Sequence, residues 1–407
     1  MRLGERSPMT HRLNLPDSIE DRELFCEHRL NPQRMNIDGR IIWQQAAGDG
    51  DRNYVDICIS WGVILCGPGY NGPYSTETAL QLRKMYSARK VGIIRTFKED
   101  VKDGHLVVLR MGTNEVHAVG EVVGEYQWSS WFGDVDGWDA EHVRRVRWLW
   151  VGEDGPMRFP THTLKWGNST QELTSPEVKE WLRTLEEQPG RREAPLPSIE
   201  FGESAPEPMS LDAIAEHMFD LGASSASIER LTDEVDDLVR IYTWYSKRKE
   251  NWPSEHETVA YLVVPFLRAL GWTPQKMAVE WGTLDVALFN KLPRTEENLA
   301  CIVEVKNLNS SCLKARAQAE QYTKKWGRNC RRFVVTDGMR YGIYERDKMG
   351  ETFELRAYMN LGRRFDAYPV YGDQCMGIRA AIMAITPERI DDPSVFEAHL
   401  ERQDEDV

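Results

Sequence analysis

Residues Cys301-Ile302-Val303-Glu304-Val305-Lys306 form a short apolar run that ends by carrying a carboxylate and an ammonium two positions apart. Side chains alternate between the faces of a strand, so Glu304 and Lys306 point the same way. Upstream, Glu280-Trp281-Gly282-Thr283 reads as a turn, and Leu284-Asp285-Val286-Ala287-Leu288-Phe289 as an apolar strand with an aspartate near its head. If the two strands are antiparallel neighbours, Asp285 lies beside Glu304, and two close carboxylates repel unless a cation or a proton intervenes. Mg²⁺ suits such a site because it takes hard oxygen ligands and retains several waters; Mn²⁺ is the expected substitute. Lys306 would then orient or deprotonate an attacking water, or offset charge on a scissile phosphate. Without Asp285, the Glu304 and Lys306 spacing would equally describe a surface ion pair.

Flanking segments extend this pattern in chain order. Before it comes Ser254-Glu255-His256-Glu257, opening a helix that runs through Val264-Pro265-Phe266-Leu267; after it comes Gln318-Ala319-Glu320-Gln321-Tyr322. Gln318 and Tyr322 at i and i+4 share a helix face, with Arg316, Lys324 and Lys325 on the same helix. Across roughly residues 250–345 the set resembles the PD-(D/E)xK nuclease superfamily, in particular the branch of type I restriction R-subunit nucleases and RecB-like enzymes. The resemblance implies an α/β restriction-endonuclease-like domain with a mixed sheet and hydrolysis of phosphodiester bonds. It implies Asp285, Glu304 and Glu257 as metal ligands, Lys306 as the catalytic lysine, and Gln318 and Tyr322 facing the metal site or a phosphate. Glu257 also completes a capping box with Ser254, so its side chain has two possible tasks. Leu284 replaces the proline that names the superfamily, a change that touches no catalytic atom.

In the N-terminal half, Asp103–Arg110, Glu115–Tyr126 and His142–Leu149 form a succession of strands with glycine turns. They resemble PUA-like domains of the EVE/YTH group, including base-reading modules of McrBC-type restriction enzymes. That resemblance implies recognition of a modified base flipped from a duplex into an aromatic pocket. Trp61, Trp128, Trp131 and Phe132 are the walls it suggests, with Ser60, Asp134 or Asp136 reading the base edge. Arg144, Arg145 and Arg147 would hold the backbone phosphates. Burial of Trp61 and Trp128 in a core, and plain solvation of the arginines, are the competing readings.

The elements that must position these residues follow from patterning. At 407 residues the chain exceeds the usual size of one core, and an α+β multidomain architecture is expected. Glycine-broken apolar runs, VDICISWGVILCGPG and VGIIRTF among them, predict a small β-rich domain over about 41–150, closed by a helix over 175–186, and the resemblance implies a PUA-like β-barrel with helices at 22–185. A proline- and charge-rich linker follows at 186–210, then a helical connector at 211–250, then the nuclease domain at 251–390. In the connector, Ile228, Leu231, Val235, Leu238, Ile241 or Tyr242, and Tyr245 form an apolar stripe over 227–249, which could pack within the chain or hold a homodimer. Within the nuclease domain the pattern predicts a helix over 254–270, strands near 277–289, 300–306, 331–336 and 340–345, and a helix over 311–327.

Composition narrows the function classes. The formal charge of −13 argues against wholesale coating of nucleic acid, though not against a local basic face. No run is long and apolar enough for a membrane span, and no apolar stretch follows the basic residues at the N-terminus, so a cytoplasmic protein is expected. Seven cysteines without C-x-x-C spacing read as structural thiols. Pro68-Gly69-Tyr70-Asn71-Gly72 lacks the Gly-Lys-Ser/Thr of a P-loop, so no NTP is expected. Together these readings describe a Mg²⁺-dependent, modification-dependent DNA endonuclease of prokaryotic defence acting on double-stranded DNA. An RNA-directed nuclease and a non-catalytic nucleic-acid binder are the alternatives; a small-substrate metal hydrolase lacks the His-rich spacing.

Overall fold

The computed structural model describes residues 33–49, 52–202, 207–347 and 349–397. The expected first domain therefore lies outside the described residues before position 33, as does Cys26. The chain is a mixed α+β structure with two mixed sheets, the first curled as a half-barrel.

The first sheet is built from β1 (Ile42–Ala46), β2 (Val63–Cys66), β3 (Leu106–Met111), β4 (Glu115–Trp128), β5 (His142–Val151), β6 (Met157–Arg158) and β7 (Thr170–Glu172). Their order is β2-β5-β4-β3-β1-β7, with β6 beside β4. β1 and β3 are parallel and the other ladders antiparallel. Among the described residues no ladder joins β2 to β7, so the sheet curls without closing there. Two apolar runs read from the sequence as strands are helical: α1 (Val55–Trp61), and α3 (Ala88–Glu99), which follows α2 (Thr76–Leu82). In α3, Val91, Ile94 and Phe97 recur every third residue and all face the core, and the Ser87 hydroxyl accepts from the Lys90 N–H to start the helix. Gly62, at φ 59°, ends α1 in the left-handed conformation that lets β2 begin at once. Ser175 caps α4 (Pro176–Thr184), whose Val178 and Leu182 are buried on the sheet.

The expected linker does not behave as a free tether over its described part. Glu186 bridges to Arg34, Glu187 is buried against Arg192, and Ile199 enters the core of the first unit. Beyond it, α5 (Leu211–Asp220) and α6 (Ser225–Ser246) pack on each other and join the core of the second unit. The apolar stripe of α6 is satisfied within the chain: Leu231, Val235 and Leu238 are buried, and Ile228, Ile241, Tyr242 and Tyr245 pack on the same core. This face is therefore not available to the homodimer considered from the sequence.

The second sheet runs β13-β12-β11-β10-β9-β8, with β8 (Met277–Trp281), β9 (Leu284–Phe289), β10 (Leu299–Val305), β11 (Arg332–Thr336), β12 (Arg340–Arg346) and β13 (Phe353–Asn360). β10 and β11 are parallel, joined by a crossover containing α9 (Arg316–Lys325); the remaining ladders are antiparallel. One face of the sheet is covered by α6, by a helix made of α7 (Glu255–Thr258), a π-helical turn (Val259–Val263) and α8 (Val264–Ala269), and by α10 (Ile378–Ala384). Pro265 explains the interruption, since it lacks the N–H that would continue the α pattern. The opposite face, bearing Ala287, Ile302 and Val335, is covered by α9 through Ala319 and by Ala315 of the turn that precedes it. Six cysteines, Cys58, Cys66, Cys301, Cys312, Cys330 and Cys375, are free and buried. Among the described residues no helix is long and apolar enough to cross a membrane.

Candidate active site

β9 and β10 pair through Val286 opposite Val303, which leaves Asp285 and Glu304 as the next residues on neighbouring strands. Asp285 Oδ2 accepts the Val305 N–H at 2.7 Å, fixing the carboxylate against the strand that carries Glu304. Glu304 is 1% exposed. Its Oε1 accepts from Lys306 Nζ at 2.8 Å, while its Oε2 is buried without a hydrogen-bond partner. Burial pushes the Glu304 carboxyl up to about 7, with the Asp285 charge adding to the rise and Lys306 opposing it. Burial likewise raises Asp285, against the pull of the Val305 N–H and the Lys306 and His256 charges. Lys306 is drawn down by burial, but its bond to Glu304 and the nearby acids prevail and leave it raised.

A buried carboxylate oxygen with no donor is costly to keep unmade. Asp285 and Glu304 are a two-carboxylate set of the kind Mg²⁺ uses when it also keeps waters and substrate phosphate oxygens, so the residues present fit that cation. Among the described residues no three or more His, Cys, Asp or Glu form a ready-made metal cage.

Glu257 is not brought to this pair. Its Oε2 accepts from the Ser254 N–H at 2.8 Å and the Ser254 hydroxyl at 2.9 Å, and these bonds hold its exposed carboxyl below its ordinary value. The capping box takes the side chain, and among the described residues it makes no hydrogen bond to Asp285, Glu304 or Lys306. Glu255, two residues earlier, is half-buried and its charge acts on both Glu304 and Lys306. The sequence reading passed this acid over in favour of Glu257. The signal was present: once Glu257 closes the capping box, Glu255 is the remaining acid of Ser254-Glu255-His256-Glu257. His256 pairs instead with Glu280 at 3.0 Å.

Gln318 Nε2 donates to Tyr322 Oη at 3.1 Å, so the two are joined on α9. Tyr322 packs on the cluster that includes Leu284 and Ala287, the sheet face that α9 covers. Among the described residues neither side chain bonds Asp285, Glu304 or Lys306. Arg316 and Lys324 line a cleft of about 430 Å³ with Arg328 and Arg346, alongside the acids Glu320, paired with Arg316 at 2.8 Å, and Glu351. Lys325 is exposed, its ammonium 4.5 Å from the Trp326 ring centre.

The four aromatic residues expected to wall a base pocket divide between the core and partly exposed positions. Trp128 is 3% exposed and donates its indole N–H to Gly69 O at 2.9 Å; Phe132 is fully buried in the core. Trp61 and Trp131 are half-buried, edge to face with ring centres 5.5 Å apart. Arg144 is 0% exposed, and its guanidinium donates to the carbonyls of Phe97, Gly124 and Lys98, so it cannot reach a phosphate. Arg145 donates to Pro197 O at 2.6 Å and holds the downstream segment. Arg147 is half-buried on β5. Arg144 and Arg145 leave opposite faces of β5, and each guanidinium is taken by backbone carbonyls, Arg144 by those of Phe97 and Lys98 and Arg145 by that of Pro197.

Asp134 and Asp136, expected to read a base edge, join the two units. Asp134 accepts from Asn360 Nδ2 at 2.9 Å. Asp136 Oδ2 accepts from the Ser311 hydroxyl and the Leu313 N–H, and the Asp136 carbonyl accepts from Arg340. Arg340 in turn pairs with Asp337, whose Oδ2 accepts the Asn309 N–H at 2.9 Å. Asp136 and Asn309 both hold positive φ, 49° and 67°, a conformation these side chains tolerate better than most. The first unit thus grips the turn that follows Lys306.

The profile of a family described as Domain of unknown function (DUF8426) matches residues 43–187, the span of the first sheet and α4. That is less than half of the chain. No curated protein matches it.

Proposed function

We propose that the chain is a Mg²⁺-dependent nuclease whose catalytic groups are Asp285, Glu304 and Lys306, with Glu255 acting on them from α7. The observation that carries this reading is the buried Glu304, one oxygen held by Lys306 and the other without a donor, next to a carboxylate on the adjoining strand. Asp285 and Glu304 would hold the cation, and the cation would supply charge stabilisation at a scissile phosphate. Lys306, raised by its acidic neighbours, remains an ammonium near neutral pH. In that form it orients a water or offsets phosphate charge by donating hydrogen bonds, in preference to removing a proton. The cleft in which Arg316, Lys324, Arg328 and Arg346 outnumber Glu320 and Glu351 supports a polyanionic substrate, despite a net charge of −13.

Double-stranded DNA is the proposed substrate, and a modified base the proposed licence for cutting, in a prokaryotic defence role within the cytoplasm. The test is cleavage of matched DNAs with and without base modification, and of RNA, by purified protein with Mg²⁺ and no NTP. Cleavage of DNA that is lost in Asp285→Asn, Glu304→Gln and Lys306→Ala supports the reading. Cleavage undiminished in all of these variants refutes it. Cutting confined to RNA replaces the substrate, and equal cutting of modified and plain DNA removes the licence.

A further inference from the structure

A cavity of about 700 Å³ lies where the two units meet, within the range of small-ligand sites. The first unit contributes Arg52, Ser60 and Trp61 to its lining, and the second Lys314, Arg316 and Tyr371. Both aromatic residues are fixed by hydrogen bonds. Trp61 donates its indole N–H to Val370 O at 2.8 Å, and Tyr371 Oη accepts the Asp136 N–H at 2.6 Å. Their rings therefore offer apolar surface at little entropic cost.

The lining carries a small excess of positive charge. Arg52, Lys314 and Arg316 line the space with Asp56 and Asp136 as the acids; the Asp136 carboxylate is occupied by Ser311 and the Leu313 N–H, and Arg316 is paired with Glu320 at 2.8 Å. The Arg52 Nε is buried with no hydrogen-bond partner, a donor lacking an acceptor. Fixed aromatic side chains beside several cations suit a ligand that is both flat and anionic.

We propose that this inter-unit cavity binds a nucleoside phosphate, with its base against Trp61 and Tyr371 and its phosphate toward Arg52, Lys314 and Arg316. The ligand is either a free mononucleotide or one nucleotide unit of a strand. Its binding goes beyond the nuclease reading and does not require cleavage, so the experiment is done with the metal chelated. A failure here leaves the nuclease reading intact, and a failure of that reading leaves this one intact.

The test is calorimetric titration of the full chain, in chelator, with deoxynucleoside monophosphates including the 5-methylcytosine form, with the matching nucleosides, with inorganic phosphate, and with short single- and double-stranded oligodeoxynucleotides. The expected result is binding of a nucleotide-bearing ligand, about tenfold or more tighter than nucleoside or phosphate alone, and weakened about tenfold or more by Arg52→Glu with Lys314→Glu. Binding of monophosphates identifies a free nucleotide; binding of oligonucleotides alone identifies a unit of a strand. Ser60→Trp, at an exposed position on the rim, must give the same loss and guards against misfolding of the charge-reversed protein. Absence of binding by every nucleotide ligand overturns the proposal, as does binding that Ser60→Trp leaves unchanged.

Discussion

Asp285 Oδ2 receives the backbone N–H of Val305 at 2.7 Å, so one carboxylate both braces the strand bearing Glu304 and Lys306 and stands beside them as a charge. The two tasks separate by substitution. Asp285→Asn keeps an oxygen to accept the N–H and removes the charge, so cleavage should fall about 100-fold or more with little change in Tm. Asp285→Ala should lose cleavage and also about 1–3 kcal/mol of stability, because the Val305 N–H is left unpaired. Thermal melts and cleavage rates of the two variants check this; an Asp285→Asn protein that cuts at the native rate would refute it.

The Glu304 carboxyl, pushed up to about 7 by burial, gives a pH signature. Between its ordinary value and about 7 the folded protein holds a proton that the unfolded chain has released. The stability linked to that proton is present at low pH and lost as pH rises through about 7. A cation needs the deprotonated form, so Mg²⁺ affinity should rise with pH up to about tenfold per unit and level off above 7. The Tm increase caused by Mg²⁺ should therefore be larger at pH 8 than at pH 6. A larger increase at pH 6 would contradict the assignment.

Glu255 and Glu257 are distinguished by opposite consequences. Glu255→Gln should reduce cleavage by about 10–100-fold with a normal Tm, since it removes a charge that acts on Glu304 and Lys306. Glu257→Ala should cost about 0.5–2 kcal/mol through the broken capping box and leave the rate per folded molecule unchanged. The reversed pattern would restore Glu257 to the site.

The arginines divide the same way. Arg144→Ala strands the carbonyls of Phe97, Gly124 and Lys98 in the interior, so Tm should fall while DNA affinity of the folded protein stays unchanged. Arg316→Ala and Lys324→Ala should weaken DNA binding, each lowering the salt slope by about 1. Binding titrations across a salt series decide, and a normal slope in both cleft variants would remove the cleft from the DNA path.

Gly137, at φ +85°, lies against the Arg340 guanidinium, so an added Cβ would overlap it. Gly137→Ala should lower Tm by the equivalent of about 1–3 kcal/mol and slow cleavage, by disturbing the contact that steadies the turn after Lys306. A variant with native Tm and native rate would show that this contact is dispensable.

What the sequence could reveal followed the range of each interaction. The β10 strand, its Glu304 and Lys306, and Asp285 on β9 were legible because strand alternation and a turn are local. The α9 basic residues were legible for the same reason. Val55–Trp61 and the Val91–Phe97 segment were read as strands because apolar runs this short fit either period, and burial of one helical face decided the outcome. Glu257 was preferred to Glu255 because the cap and the site compete for neighbouring acids, and only geometry shows which one the backbone takes. Asp136 and Arg340 lie 204 residues apart, and no local pattern announces their contact.

That contact also bears on how the chain can be divided. The segment 134–137 reaches into the second unit, where Asn360, Ser311 and Arg340 receive it, and Trp61 is tied to Val370. A fragment starting after residue 206 would present bare tyrosines and an arginine deprived of one acceptor, a surface fit for aggregation more than for study. Swapping the first unit for a foreign recognition module would meet the same obstacle, so specificity is better re-engineered in place than by grafting.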